Sequence, residues 1–144
     1  MSLRSMVLVI VQVLAILFIV LTGPFLPRQP ILAALVILGL LLIVSGILAL
    51  RVHNWNVGPE ARKGATLVRN GPYRYVRHPI YAGGLLVTLA WVIAAFTWVR
   101  LLLWMVLVVD LVVKVRWEET LLTQAFADYP EYMRQTKRLI PFIY

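Results

Sequence analysis

Four runs of near-continuous apolar residues, at about 5–22, 30–50, 79–98 and 101–117, leave this chain little choice of fold. Each approaches the roughly 20 residues that a helix needs to cross a bilayer. Lipid offers no water to satisfy backbone polar groups, so such runs fold as helices. The first run stops at Gly23-Pro24, and Pro30 suits the first turn of the second. Only Val99 and Arg100 stand between the third and fourth, which predicts a tight hairpin. The reading is an all-α, polytopic membrane helix bundle with about four transmembrane helices and a C-terminal cytoplasmic helical tail. It forms a single membrane domain over 1–144. Residues 1–50 supply two N-terminal transmembrane helices, and 51–144 supply the region that carries chemistry.

Composition supports the bundle and excludes several functions. Hydrophobic residues make up 62% of the 144 positions, more than one soluble core of this size can hide. Arg4 followed by an apolar run imitates a signal peptide, but no small-residue cleavage pattern follows, so the run is read as a retained helix. Cysteine is absent, which removes disulfides, thiolate metal sites and cysteine nucleophiles, and two histidines offer little for a metal ion. A net charge of +8 in so apolar a chain points to anionic lipid and not to nucleic acid.

The basic residues also orient the chain. Arg51, Arg62, Lys63, Arg69, Arg74 and Arg77 fill the long second connection, and Arg116, Arg134, Lys137 and Arg138 fill the tail, with Lys114 just inside it. The other connections carry only Arg28 and Arg100. Both termini and the long connection are therefore expected in the cytoplasm. Trp98 and Trp104 on one side, and Trp55 and Trp117 on the other, read as interfacial anchors. With no cysteine and no targeting peptide, the expected location is a prokaryotic inner membrane. Gly39, Ser45, Gly46 and Ala49 give the second helix a small-residue side on which a neighbour can pack closely.

Polar chemistry gathers in two places. The run 71–83, Gly-Pro-Tyr-Arg-Tyr-Val-Arg-His-Pro-Ile-Tyr-Ala-Gly, packs arginines, aromatics and a histidine directly before an apolar helix. Asn70-Gly71-Pro72 signals a turn, and Pro79 disfavours helix at His78. Peptide groups from about 67 to 78 are thus free to bind a polar ligand, with Tyr73, Tyr75 and Tyr81 available to stack on a ring or face a cation. The plainer reading is an aromatic-basic anchor for lipid headgroups. The second place is the fourth helix, where Asp110, Lys114 and Glu118 share a face. Ionisable residues inside a span normally face the bundle and have partners, so an ion ladder is the plain reading there. Arg116 lies roughly opposite Lys114. No G-x-G run, P-loop or serine nucleophile elbow is present, so a nucleotide-like cofactor needs another kind of cradle.

These residues resemble the isoprenylcysteine carboxyl methyltransferase and phospholipid methyltransferase superfamily of integral-membrane methyltransferases. The likeness rests on 67–83 and on Glu118-Glu119 followed by Leu122, Phe126, Tyr129, Tyr132 and the closing Arg138-Leu139-Ile140-Pro141-Phe142. It covers roughly 64–144, and the first two helices match only in hydropathy. The resemblance implies S-adenosyl-L-methionine-dependent methyl transfer to a lipophilic or small acceptor at the cytoplasmic membrane face, with membrane lipid as a partner. It implies that Ala65, Thr66, Leu67 and Val68 line the cofactor through backbone, that Tyr73, His78, Pro79, Ile80 and Tyr81 complete its contacts, and that Glu118 binds it. The catalytic candidates are Lys114, Glu119 and Arg116. Lys114 stands where the family's substrate-positioning arginine falls, and a lysine cannot make the two-pronged bond to a carboxylate that arginine makes. Glu119 or His78 is the candidate proton acceptor for an amine or thiol. Two other readings use the same helices: a nicotinamide-dependent membrane reductase relative, and a non-catalytic membrane scaffold.

Overall fold

The computed structural model describes residues 2–24, 26–54 and 66–140, with backbone alone at 51–54. Within them lie α1 (Leu3–Leu21), α2 (Pro30–Asn54), α3 (Pro79–Ala94), α4 (Trp98–Ala125) and α5 (Tyr129–Gln135), plus one 3-10 turn at Gly71–Arg74. The described residues contain no β-strand, which agrees with the all-α expectation. Trp55, Arg62, Lys63, Ala65 and the apolar ending at 141–144 fall outside them.

Two helices, Leu3–Leu21 and Pro30–Leu50 within α2, are long and apolar enough to cross a membrane. The other two expected spans differ from that pattern. α3 has 16 residues, about 24 Å of helix against a hydrocarbon core of about 30 Å. α4 is longer at 28 residues, but Arg100, Asp110 and Lys114 are buried along it. The hairpin also sits earlier than expected. α3 stops at Ala94, and the Thr97 hydroxyl accepts the Arg100 amide hydrogen bond at 3.2 Å, so Thr97 caps α4 and Val99-Arg100 belong to its first turn. Propensity alone did not show that a threonine would start the helix inside an apolar run. The residue pattern of the tail predicts a break at Pro130 and a short polar helix over 131–138; instead Pro130 lies in the first turn of α5 and begins the helix.

The helices pack antiparallel in two pairs that share α3 and α4. Arg4 lies over the Trp117 ring, Ala15 packs with Leu107, and Arg100 donates to the Thr22 hydroxyl at 2.6 Å, which fixes α1 on α4. A second Arg100 nitrogen donates to the Trp91 carbonyl at 2.8 Å, so one buried guanidinium ties α1, α3 and α4 at the same end. Arg100 is therefore a packing residue, not a connection residue. Trp104 is likewise drawn inward, donating toward Thr88 Oγ1 at 3.2 Å, while Trp98 stays exposed as an interfacial anchor would.

α2 and α3 form the most extensive pairing, and small residues are the reason. A Cβ added at Gly39 would lie 2.6 Å from Val87 Cγ2 and 2.7 Å from the Gly83 carbonyl oxygen. One added at Gly46 would lie 2.8 Å from Ile80 Cγ1. The two backbones therefore touch, and dispersion over that contact replaces the hydrophobic drive that lipid removes. This fixes the height of the first turn of α3, which carries His78 and Tyr81.

A methyl group should separate the two adjacent glycines of α3. Gly83→Ala meets the Gly39 carbonyl and should cost about 1–3 kcal/mol, whereas Gly84 has nothing within 4 Å of its added Cβ and Gly84→Ala should be neutral or slightly stabilising. Thermal unfolding of the two variants in detergent checks this, and equal melting temperatures would contradict the close approach.

Candidate functional site

The site begins with a turn that only certain residues can make. Gly71 has φ +57°, in the left-handed region where a side chain is strained, and Pro72 locks the next residue into a turn conformation. The resulting 3-10 turn buries Tyr73. Beyond it the chain runs beside the tail as one parallel bridge, Val76 with Lys137. The Arg77 amide donates to the Lys137 carbonyl at 2.8 Å, the His78 amide to the Arg138 carbonyl at 3.0 Å, and the Lys137 amide to the Tyr75 carbonyl at 3.1 Å. Pro79 then starts α3 as its first residue. The turn region was legible as irregular backbone, but its zipper to the tail was not.

Glu119 is the centre of that junction. Arg77 Nε donates to its Oε1 and Arg138 Nε to its Oε2, both at 2.7 Å, and its side chain is only 5% exposed. A second Arg77 nitrogen, Nη1, donates to the carbonyls of both Met133 and Thr136, so one guanidinium joins α4 to the end of α5. Arg69 pairs with Asp128 on the outer side of the same seam. Burial by itself would raise the Glu119 carboxyl; the hydrogen bonds from Arg77 and Arg138, with the His78 ring nearby, outweigh it and bring the value down to about 2. The two arginines carry most of that effect on geometric grounds, since His78 Nε2 stands 3.5 Å from Oε1, too far and too poorly aligned for a good hydrogen bond. Three tyrosines pack beneath. Tyr132 donates to the Tyr73 carbonyl at 2.6 Å and meets Tyr129 edge-on. Burial raises all three hydroxyls, Tyr132 to about 12, so they act as neutral donors at any working pH.

Glu118 faces the other way. Its Oε2 accepts the Tyr81 hydroxyl at 3.1 Å and lies 3.9 Å from His78 Nδ1, and 22% of the side chain remains exposed. The His78 ring stacks on Tyr81, with centroids 5.6 Å apart and planes 7° from parallel. His78 itself is buried, and its Nε2 has no hydrogen-bond partner. Tyr73 lies within electrostatic reach of Glu118. Lys114 Nζ also sits over the Tyr81 ring, 5.1 Å from its centroid, and donates to Gln12 Oε1 of α1 at 3.0 Å.

The structure thus brings together Tyr73, His78, Tyr81, Lys114, Glu118 and Glu119 of the residues expected from the sequence. Thr66, Leu67 and Val68 are irregular chain leading into the turn, Thr66 exposed and the others half-buried. Pro79 and Ile80 direct their side chains to α2 at Gly46 and away from Glu118. Arg116 is exposed on the far face of α4 from the buried Lys114 and does not join the cluster. Ala65 lies outside the described residues. Two participants escaped the sequence reading. Gln12 is the lone amide in an otherwise apolar helix, a signal that was available. The double-arginine hold on Glu119 depends on long-range pairing that spacing does not show.

Apolar helices that carry a half-buried carboxylate, a stacked histidine and a tyrosine cluster at one end fit a membrane-associated protein. The chain matches the family model described as phospholipid methyltransferase over residues 29–129, which takes in α2, the turn, α3 and α4. It belongs to that family, and so to the membrane methyltransferases. No curated protein matches the chain.

The junction makes a pH prediction. Glu119 has a folded value of about 2, below its ordinary 4.5, so its contribution to stability is fully present above about pH 4.5 and is lost as pH falls toward 2. At pH 7 Glu119→Gln should destabilise by about 3 kcal/mol, because it leaves two guanidiniums without a counter-charge. Melting curves of both proteins between pH 7 and 3 should converge as the pH drops below 4.5. A gap that stays constant would mean that the carboxylate is not the charged partner.

Proposed function

We propose that this protein transfers a methyl group from S-adenosyl-L-methionine to a lipophilic acceptor, at the level where residues 66–81 meet α4 and the tail. The observation that carries this is the juxtaposition of the Glu118 carboxylate with the stacked His78–Tyr81 pair. The chemistry of the residues fits the cofactor. Its ammonium and sulfonium are cations, which suit a half-buried carboxylate flanked by aromatic faces. Its adenine and carboxylate need hydrogen-bonding groups, and the irregular backbone at 66–69 can supply them. When bound, the cofactor supplies an activated methyl group.

What remains for the protein is positioning and exclusion of water. Tyr81 fixes the Glu118 carboxylate through its hydroxyl, and the His78 stack in turn holds the Tyr81 ring. The tail, zipped to residues 75–78, closes the site from the polar side. Glu119 is a tie and not a base: at about 2 its carboxylate has little affinity for a proton at neutral pH. His78 is left as the residue placed to take a proton from an amine acceptor. Lys114 is turned down toward Gln12 and Tyr81, so it presents no fork to a carboxylate. Together with the family match, this favours an amine- or other lipid-borne acceptor over an isoprenylcysteine-type carboxylate. We read α3 and α4 as completing a four-helix membrane unit, with the site on the cytoplasmic side of a prokaryotic inner membrane.

Calorimetry with S-adenosylhomocysteine on the detergent-purified protein tests this reading. Binding is expected, and Glu118→Gln and His78→Ala should each weaken it by about tenfold or more, the loss of one charge-assisted contact. Absence of binding across several detergents would overturn the cofactor assignment. Unchanged affinity in both variants would move the site elsewhere.

A further inference from the structure

Asp110 has a carboxylate oxygen that the bundle leaves unsatisfied. The residue is 6% exposed on the packed face of α4, and its Oδ2 has no hydrogen-bond partner. Such a group inside a membrane span is costly unless a donor is supplied to it. The register of α1 on α4 shows what stands beside it. Arg4 meets Trp117, Ala15 meets Leu107 and Thr22 meets Arg100, which sets Gln12 opposite Asp110. Lys114 reaches down to the same level by donating to Gln12 Oε1. Gln12 lies at the middle of the 19-residue α1, so this polar cluster is far from either end of the span. About 12 Å of helix axis separates Asp110 from Glu118.

We propose that Asp110 and Gln12 form a deep subsite for a neutral hydrogen-bond donor, a hydroxyl or amide N–H, carried in the apolar part of the lipophilic methyl acceptor. The subsite rests on the methyl-transfer reading only in naming its occupant as the acceptor. Charge balance selects a neutral donor. Lys114 stands one helical turn from Asp110 on the same buried face of α4, so an added ammonium would meet a like charge in a low-dielectric interior, whereas a hydroxyl satisfies Oδ2 without changing the charge. The Gln12 carbonyl oxygen is taken by Lys114, which leaves its amide nitrogen as the end to meet the oxygen of the occupant. Gln12 is half-buried beside the exposed Val13 and Leu14, so the α1 side of the cluster borders the apolar outer surface of the bundle. Gln12 also lies outside the stretch matched by the family, so the subsite draws on a part of the chain that the match does not cover.

Two probes of equal heavy-atom count, undecanol and decyl methyl ether, differ only in whether they can donate. Their binding to the full chain in neutral detergent is measured by tryptophan fluorescence. The wild type should hold the alcohol about tenfold more tightly than the ether, the difference of one buried hydrogen bond. Asp110→Asn keeps an acceptor oxygen and should keep the preference, whereas Asp110→Leu should abolish it. Equal affinity of the wild type for both probes overturns the subsite without recourse to any variant, as does a preference that survives Asp110→Leu. S-adenosylhomocysteine binding to the same wild-type preparation reports separately: its loss with the alcohol preference intact would overturn the cofactor reading and leave the subsite standing.

Discussion

The hold of two guanidiniums on Glu119 is the interaction on which the rest of the site depends. Arg77 comes from the segment before α3 and Arg138 from the end of the tail, so a single carboxylate on α4 joins three distant parts of the sequence. Buried ion pairs are weak sources of net stability, because desolvation cancels most of the attraction. Their value is in registration. With both Glu119 oxygens engaged, the tail has one position along residues 75–78, and the parallel bridge at Val76 and Lys137 follows from it. That position places His78 against Tyr81 and turns Glu118, the preceding residue on the helix, toward the Tyr81 hydroxyl.

A second constraint acts from the membrane side. The contact of α2 and α3 through Gly39, Gly46 and Gly83 leaves no slack between the two backbones. It sets how deep the start of α3 sits, while the Glu119 junction sets where the tail meets it. The site is therefore held by rigid elements on both sides. A Gly-Pro turn, a bridge and two arginines hold the segment before α3 in place.

Much of this was legible in the sequence because lipid is an unforgiving solvent. Apolar run length marked α1 and α2 closely, and the turn residues at 70–72 marked the irregular segment. Hydropathy was less informative where side chains satisfy one another inside the bundle. Arg100 was read as a connection because it is charged, yet it is buried with partners on α1 and α3. The hairpin and the start of α5 moved because a threonine cap and a first-turn proline decide helix starts locally, within windows that averaging over an apolar run erases. In the candidate site, spacing placed Lys114 and Glu118 on one face and set Arg116 apart from it. Spacing did not show that Lys114 would turn toward Gln12, which depends on how α1 docks.

Three carboxylates on α4 differ chiefly in how completely the protein satisfies them, and that difference sorts their work. Glu119 receives a charged donor on each oxygen and has nothing left to offer a ligand. Glu118, its neighbour, receives one neutral donor from Tyr81 and keeps part of its surface open. Asp110, deeper in the bundle, keeps one oxygen buried and unmatched. Identical chemistry at the three positions would have been the simpler arrangement for a scaffold, since a buried carboxylate that serves only packing is usually exchanged for an apolar residue at little cost or at a gain. A graded series, from fully paired at the junction to unmatched deep in the bundle, is instead what the proposed site needs, with one ligand entering from water and another from lipid.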